Sequence, residues 1–354
     1  MDLKSALSTL ARFTAAKATA TGQHTVRLSP GQVAASNLHS GCRIPVESVD
    51  VEASVSFRDF RKIVAAVDDV TMVVKRNTLY IEGGGSTFKL KCFPAANLAV
   101  YPEEPEEKAW SPASGSALVS LAALTSVIDA NGDVANGLTS LRITPGWAAT
   151  ATQATLVVLH EGLGVDESVS VAPEAVAGLS TSEGGSVCVL DNKLWVRDEA
   201  TKQVRWAQAL ATPWPDSIVD SMLPTTVGTA GRVEAQADLA ALKGLADRAK
   251  LLMSGDEYGC LNAHEQGGCL TISGNFARGD FNGTVALEID ESSSPVGISP
   301  TRLSAILDVV GSAAEAYGSG GGIDLSFGGE TAAPQPIVMK AGPIEALLMP
   351  VVLP

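Results

Sequence analysis

The stretch Asn77-Thr78-Leu79-Tyr80-Ile81-Glu82 returns as Asn192-Lys193-Leu194-Trp195-Val196-Arg197, 115 positions further on. Each copy alternates apolar and polar residues, the period of a half-buried strand. Each is followed by a turn and a further strand, FKLKCF at 88–93 and QVRWAQAL at 203–210, and then by an aromatic–proline pair, Tyr101-Pro102 and Trp214-Pro215. A third copy runs from Gly322 to Phe327, continues through PIVMKA and finishes in ALLMPVVLP.

Two sets of helical patterns share this spacing. Apolar residues at helical intervals mark 3–16, 118–130 and 239–252, whose starts at 3, 118 and 239 lie 115 and 121 positions apart. A second set follows a short β-like run each time: RDFRKIVAAV after Val55-Ser56-Phe57, APEAVAGL (172–179) after Val169-Ser170-Val171, and SPTRLSAILDVV (299–310) after Val296-Gly297-Ile298. Three landmarks in one order make a threefold internal repeat. Each repeat reads as helix, strands, helix, strands, an α+β domain with sheets backed by helices. The loop-like stretches Pro102–Ser116 and Leu223–Gly231 separate domains at 1–112, 113–228 and 229–354.

Composition narrows the class. Hydrophobic residues make up 45% of 354, enough for real cores. The start, Met1-Asp2-Leu3-Lys4-Ser5, lacks the basic head and apolar run of a secretory leader, and no apolar run is long enough to span a membrane. Five dispersed cysteines fit free thiols in a reducing cytoplasm. The net charge of −14 argues against a protein that coats DNA with its whole surface. It leaves room for a basic face on an acidic body.

Several segments resemble the bacterial-type DNA polymerase sliding clamp. Gly85–Pro102 (GSTFKLKCFPAANLAVYP) resembles that family's serine–phenylalanine–leucine segment with its Pro-Ala pair, and Val55–Phe60 resembles its lead into the second helix. Trp214-Pro215-Asp216 through Leu223-Pro224 resembles an interdomain junction, and Leu347–Leu353 the apolar, Met-Pro-containing ending. The chain departs from the pattern too: the family's first short strand is truncated, Thr152–Val157 keeps only part of a second-domain motif, and Val352 stands where a basic residue is usual. These departures mark a divergent member, with a phage-encoded origin as one reading.

The resemblance implies a three-domain α+β chain that closes into a ring as a head-to-tail homodimer, in the cytoplasm (the host's, if phage-encoded). It implies a processivity factor, not an enzyme, with no cofactor and no metal. The implied partners are double-stranded DNA, bound without regard to sequence, and a replicative polymerase and clamp loader bound through short peptide motifs. Helices would line the hole, and the candidate DNA-facing bases are Lys4, Arg12, Lys17, Arg58, Arg61, Lys62, Lys75, Arg76, Lys243, Arg248, Lys250 and Arg302. The second-repeat helical segments carry no Lys or Arg. The implied peptide pocket uses Leu141, Thr152, Ala154, Val157, Pro224, Leu347, Met349, Pro350, Val351 and Leu353. Solvated helix faces and ordinary core strands are the plain alternatives for these two sets.

Other classes fare worse. Cys260, His264 and Cys269 lack a C-x2-C knuckle and a fourth ligand. Gly83-Gly84-Gly85 is a hairpin turn, since no Gly-Lys-Ser/Thr follows. A three-repeat β-rich structural or virion protein would share the repeats, but has no need of bases on helices.

Overall fold

The computed structural model describes residues 1–15, 22–94, 101–128, 138–177, 184–219, 232–254, 258–264, 268–289, 295–328 and 335–351. Contacts gather the chain into two units. The first comprises Met1–Ala113, Gly164–Val176 and Thr181–Ala209; the second comprises Ser114–Leu163, Ala177–Ser180 and Leu210–Pro354.

In the first unit, helix α1 (Leu3–Leu10) starts where the Asp2 carboxylate accepts the Ser5 N–H at 2.9 Å. It buries Leu3, Ala6, Leu7 and Leu10, one stripe at helical spacing, and runs into a 3₁₀ turn at Ala11–Phe13. Helix α2 (Phe57–Ala66) is capped by Ser56 and buries Phe57, Phe60 and Val64. Both stripes meet Leu28, Ile44, Leu79 and Ile81 in one core.

An antiparallel sheet of eight strands runs in the order Ala53–Ser56, Thr25–Ser29, Gln32–Ser36, Ser40–Pro45, Val204–Gln208, Lys193–Asp198, Gly185–Leu190, Ser111–Ala113. Its middle ladder sets Gly41 against Trp206, Cys42 against Arg205 and Arg43 against Val204. A separate three-stranded sheet holds Thr71–Lys75, Thr78–Gly83 and Ser86–Lys91. The asparagine that opens the repeated motif now has a physical role. Arg76-Asn77 and Asp191-Asn192 both turn tight hairpins with positive φ (47° and 63°, 52° and 56°), a conformation asparagine tolerates well.

The second unit holds helices α3 (Gly115–Leu124), α4 (Leu239–Lys250) and α5 (Pro300–Tyr317), with α5 packed on both others. Its sheet runs Leu141–Ile143, Ala148–Ala151, Thr155–Leu159, Ile344–Leu348, Ile337–Ala341, Gly322–Gly328, Arg232–Asp238, Gly279–Glu288, Cys269–Phe276, Gly259–His264, Val296–Ile298. The Thr155–Leu159 strand pairs with Ile344–Leu348, so here too a second-repeat strand meets one from another repeat. Contacts therefore gather residues across the repeat boundaries. The helix expected over 172–179 is, within the described residues, a 3₁₀ turn at Pro173–Ala175, whereas α5 continues well beyond its expected end at 310.

Glu345 is 8% exposed in this sheet, with Lys340 Nζ at 2.9 Å and His160 Nε2 at 3.1 Å. Burial pushes its carboxyl up, but hydrogen bonds from His160 and Lys340 outweigh burial and hold it below the ordinary value. A lowered folded-state value contributes stability above the unfolded value and loses it as pH falls through the folded one. Urea unfolding of Glu345→Gln should therefore show a shallower loss of stability on acidification below about pH 4.3 than the parent chain shows. Parallel acid profiles would remove Glu345 from the account.

Candidate DNA interface and partner-binding surface

Helix α2 turns Phe57, Phe60 and Val64 inward and leaves Arg58, Arg61 and Lys62 exposed. These three bases line a groove of about 740 Å³ together with Thr14, His24 and Asp59. Thr14 and His24 carry no local signal for such a role, since they reach the groove only through the packing of the chain around α2. His24 is half-buried, its ring meets Phe93 edge-on at 5.5 Å, and its Nδ1 has no hydrogen-bond partner among the described residues. Three cations against one carboxylate make the groove an anion-attracting surface, able to hold phosphates without reading bases.

The other candidates are placed unevenly. Arg12 is exposed on the 3₁₀ turn after α1. Lys4 is exposed and paired with Asp68 at 2.9 Å. Lys75 and Arg76 sit at the tip of the hairpin joining Thr71–Lys75 to Thr78–Gly83 and do not line the groove. In the second unit, Arg248 and Lys250 are exposed at the end of α4, and Arg302 is half-buried in the first turn of α5. Lys243 is held by Asp247 at 2.6 Å and Asp308 at 3.1 Å, and the hydrogen bonds its ammonium donates to these carboxylates raise its pKa. That cluster carries one positive and two negative charges, so it does not attract a phosphate as a bare lysine would. Lys17 lies outside the described residues.

The residues assigned to a peptide pocket separate by strand parity. Leu156 pairs with Leu347, and Thr155 with Leu348. Leu347 packs in a cluster with Ala149, Ala151, Leu156, Val158 and Trp214, with Trp147 against it. Alternation turns Leu141 and Val157, both fully buried, to the opposite face of the sheet. The side chain beside Leu347 is thus Leu156, one position from the Val157 that the resemblance implies.

The loop over this face is fastened by a two-pronged ion pair, in which Arg142 Nε and Nη2 donate to Asp216 at 2.8 and 2.7 Å. Trp214, in the same Trp-Pro-Asp segment, is 5% exposed and meets Trp147 at 5.9 Å. At the rim, Thr152 and Ala154 form a turn, and Ala154 O accepts the Met349 N–H at 2.8 Å. Pro350 and Val351 are half-buried beyond it, the Val351 N–H donating to Gly297 O at 2.9 Å. Thr152, Ala154, Leu347 and Met349 are therefore brought together. Pro224 and Leu353 lie outside the described residues.

Among solved structures, the chain superposes on the DNA polymerase sliding clamp of Bacillus subtilis with a TM-score of 0.77 at 16% identity, over 99% of this chain and 96% of that one. The chain has the sliding-clamp fold. The DNA polymerase III β subunit of Thermotoga maritima matches this clamp fold at a TM-score of 0.76 and 14% identity, over 100% and 98% of the two chains. The sliding clamp of Pseudomonas aeruginosa bound to griselimycin matches at 0.77 and 15%, over 99% and 97%. No family model and no curated relative matches the sequence. This chain is therefore a strongly divergent version of the three-domain clamp fold. Among the described residues, no helix is long and apolar enough to cross a membrane.

Proposed function

We propose that the chain is a DNA sliding clamp that encircles duplex DNA and tethers a replicative polymerase, with no catalytic step of its own. The observation that carries this reading is the match to clamp structures along nearly the whole chain. The exposed Arg58, Arg61 and Lys62 supply cations for phosphate contacts in a chain of net charge −14. The three domains are 1–112, 113–228 and 229–354, and the partner surface gathers around Leu156, Trp214, Leu347 and Met349 for short apolar motifs of the polymerase and loader. The site of action is the cytoplasm.

A head-to-tail homodimer has support from the ladders. Ser40–Pro45 pairs with Val204–Gln208, and Thr155–Leu159 with Ile344–Leu348. Each pairs the third strand of a repeat's first sheet with the last strand of the next repeat. The next pair in that series sets Gly279–Glu288 of one chain against Ser86–Lys91 of a second copy.

Primer extension with the cognate polymerase and loader tests the function, and light scattering on the purified protein tests the assembly. Longer products and a dimer mass are expected. Unchanged product lengths, or a stable monomer, would contradict the proposal.

A further inference from the structure

The three-stranded sheet of the first unit has two unlike faces. Leu79 and Ile81 enter the core, while Val73, Tyr80 and Lys89 lie outward in one row, Val73 opposite Tyr80 and Tyr80 opposite Lys89. Lys75 and Lys91 flank Thr78 in the next row. The Lys75 and Lys89 ammoniums stand 5.8 and 5.4 Å from the Tyr80 ring centre. Val73 is 48% exposed, and all three lysines are exposed against the single acid Glu82 on this face. The result is a basic, aromatic-centred patch on an acidic protein.

The second repeat shows what covers the matching face there. The equivalent row is Cys188 opposite Trp195 and Trp195 opposite Trp206, with Trp195 in the place of Tyr80. Trp195 and Trp206 are only 2% and 3% exposed, because residues 101–110 (YPEEPEEKAW) lie over them. Tyr101 meets Trp206 edge-on at 5.9 Å. Glu107 takes both prongs of Arg197 at 2.8 and 2.9 Å, Arg197 lies 4.5 Å from the Trp110 ring centre, and Arg43 donates to Pro102 O. The cover is an acidic segment that ends in a 3₁₀ turn at Glu107–Ala109, with an aromatic ring at each end, held by arginines of the Ser40–Pro45 and Lys193–Asp198 strands.

We propose that the Val73–Tyr80–Lys89 face of the first repeat docks an acidic segment, carrying an aromatic residue, from a partner protein. The second repeat supplies the geometry from its own chain. The first repeat presents the same sheet uncovered by any of the described residues, with lysines where carboxylates would land. Single-stranded nucleic acid would also bring negative charge and flat rings. The acidic peptide is favoured because carboxylates and aromatic side chains already close the matching face. This proposal stands independently of the DNA reading.

The probe is a labelled peptide with the sequence YPEEPEEKAW, titrated into the full chain by fluorescence anisotropy at low salt. Saturable binding is expected, weakened about tenfold or more in Lys89→Glu/Lys91→Glu and weakened again as salt rises. A peptide with glutamine at its four glutamates should lose most of the affinity. Both lysine side chains are exposed on the face of the sheet, so the double variant should keep the parent's circular dichroism and unfolding midpoint, and light scattering on the variant shows whether the proposed seam along Ser86–Lys91 is kept as well. No saturation by about 1 mM peptide, equal affinity for the double variant, or tighter binding of oligothymidylate that the same variant abolishes would each overturn the proposal.

Discussion

Gly41→Val is expected to destabilise the first unit by about 3 kcal/mol, the upper end of what overpacking a filled site costs. A Cβ built on Gly41 falls 2.1 Å from Trp206 Cζ2 and within 2.6 Å of two further ring atoms. Trp206 cannot move aside, because it is 3% exposed and held between Tyr101 and Trp195, with the Arg43 guanidinium 5.5 Å from its ring centre. The glycine is there to let an indole lie flat across the ladder that joins 40–43 to 204–207. Trp206→Ala alone should cost about 3–5 kcal/mol through the cavity it opens. Gly41→Val combined with Trp206→Leu should recover part of the sum, since the two sites touch. Urea midpoints measure all three, and a Gly41→Val midpoint equal to the parent's would show that the indole is not wedged.

Charge reversal of Arg58, Arg61 and Lys62 to Glu is expected to have the largest functional effect. All three are exposed on α2 and line one groove. Removing three phosphate contacts should lower the slope of log K against log salt by about 3, and reversal adds repulsion. Retention on nicked circular duplex should fall at least roughly tenfold at moderate salt. Lys243→Glu should do much less, because Asp247 and Asp308 already occupy that ammonium. Equal losses from the two variants would mean that the groove has no special part in holding DNA.

The two contrasting cases show what a sequence can carry. The strands Thr78–Gly83 and Lys193–Asp198 were legible because alternation is local: the face of each residue follows from its neighbours within a few positions. The stripes of α1 and α2 were legible for the same reason. Leu156 was not, because its facing partner Leu347 comes from a distant strand, and a one-residue change in register swaps the face of every side chain. The pairing of Lys243 with Asp308 was hidden likewise, since α5 brings that carboxylate from another element. The helix expected over 172–179 met a different limit: proline at the first position and short apolar residues are compatible with a single 3₁₀ turn as well as with a helix.

The ladder between Ser40–Pro45 and Val204–Gln208 also bears on how the molecule is made. Cys42 reaches Gln203 across 161 positions of chain. At ribosomal rates of about 5–20 residues per second, the strand at 40–45 waits on the order of 10–30 s for its neighbour. During that interval an apolar strand edge stays open, with loop-closure entropy opposing early pairing. The first third of the chain therefore cannot finish folding as it emerges. Released chains truncated before residue 204 should depend on chaperones far more than released chains truncated after 209.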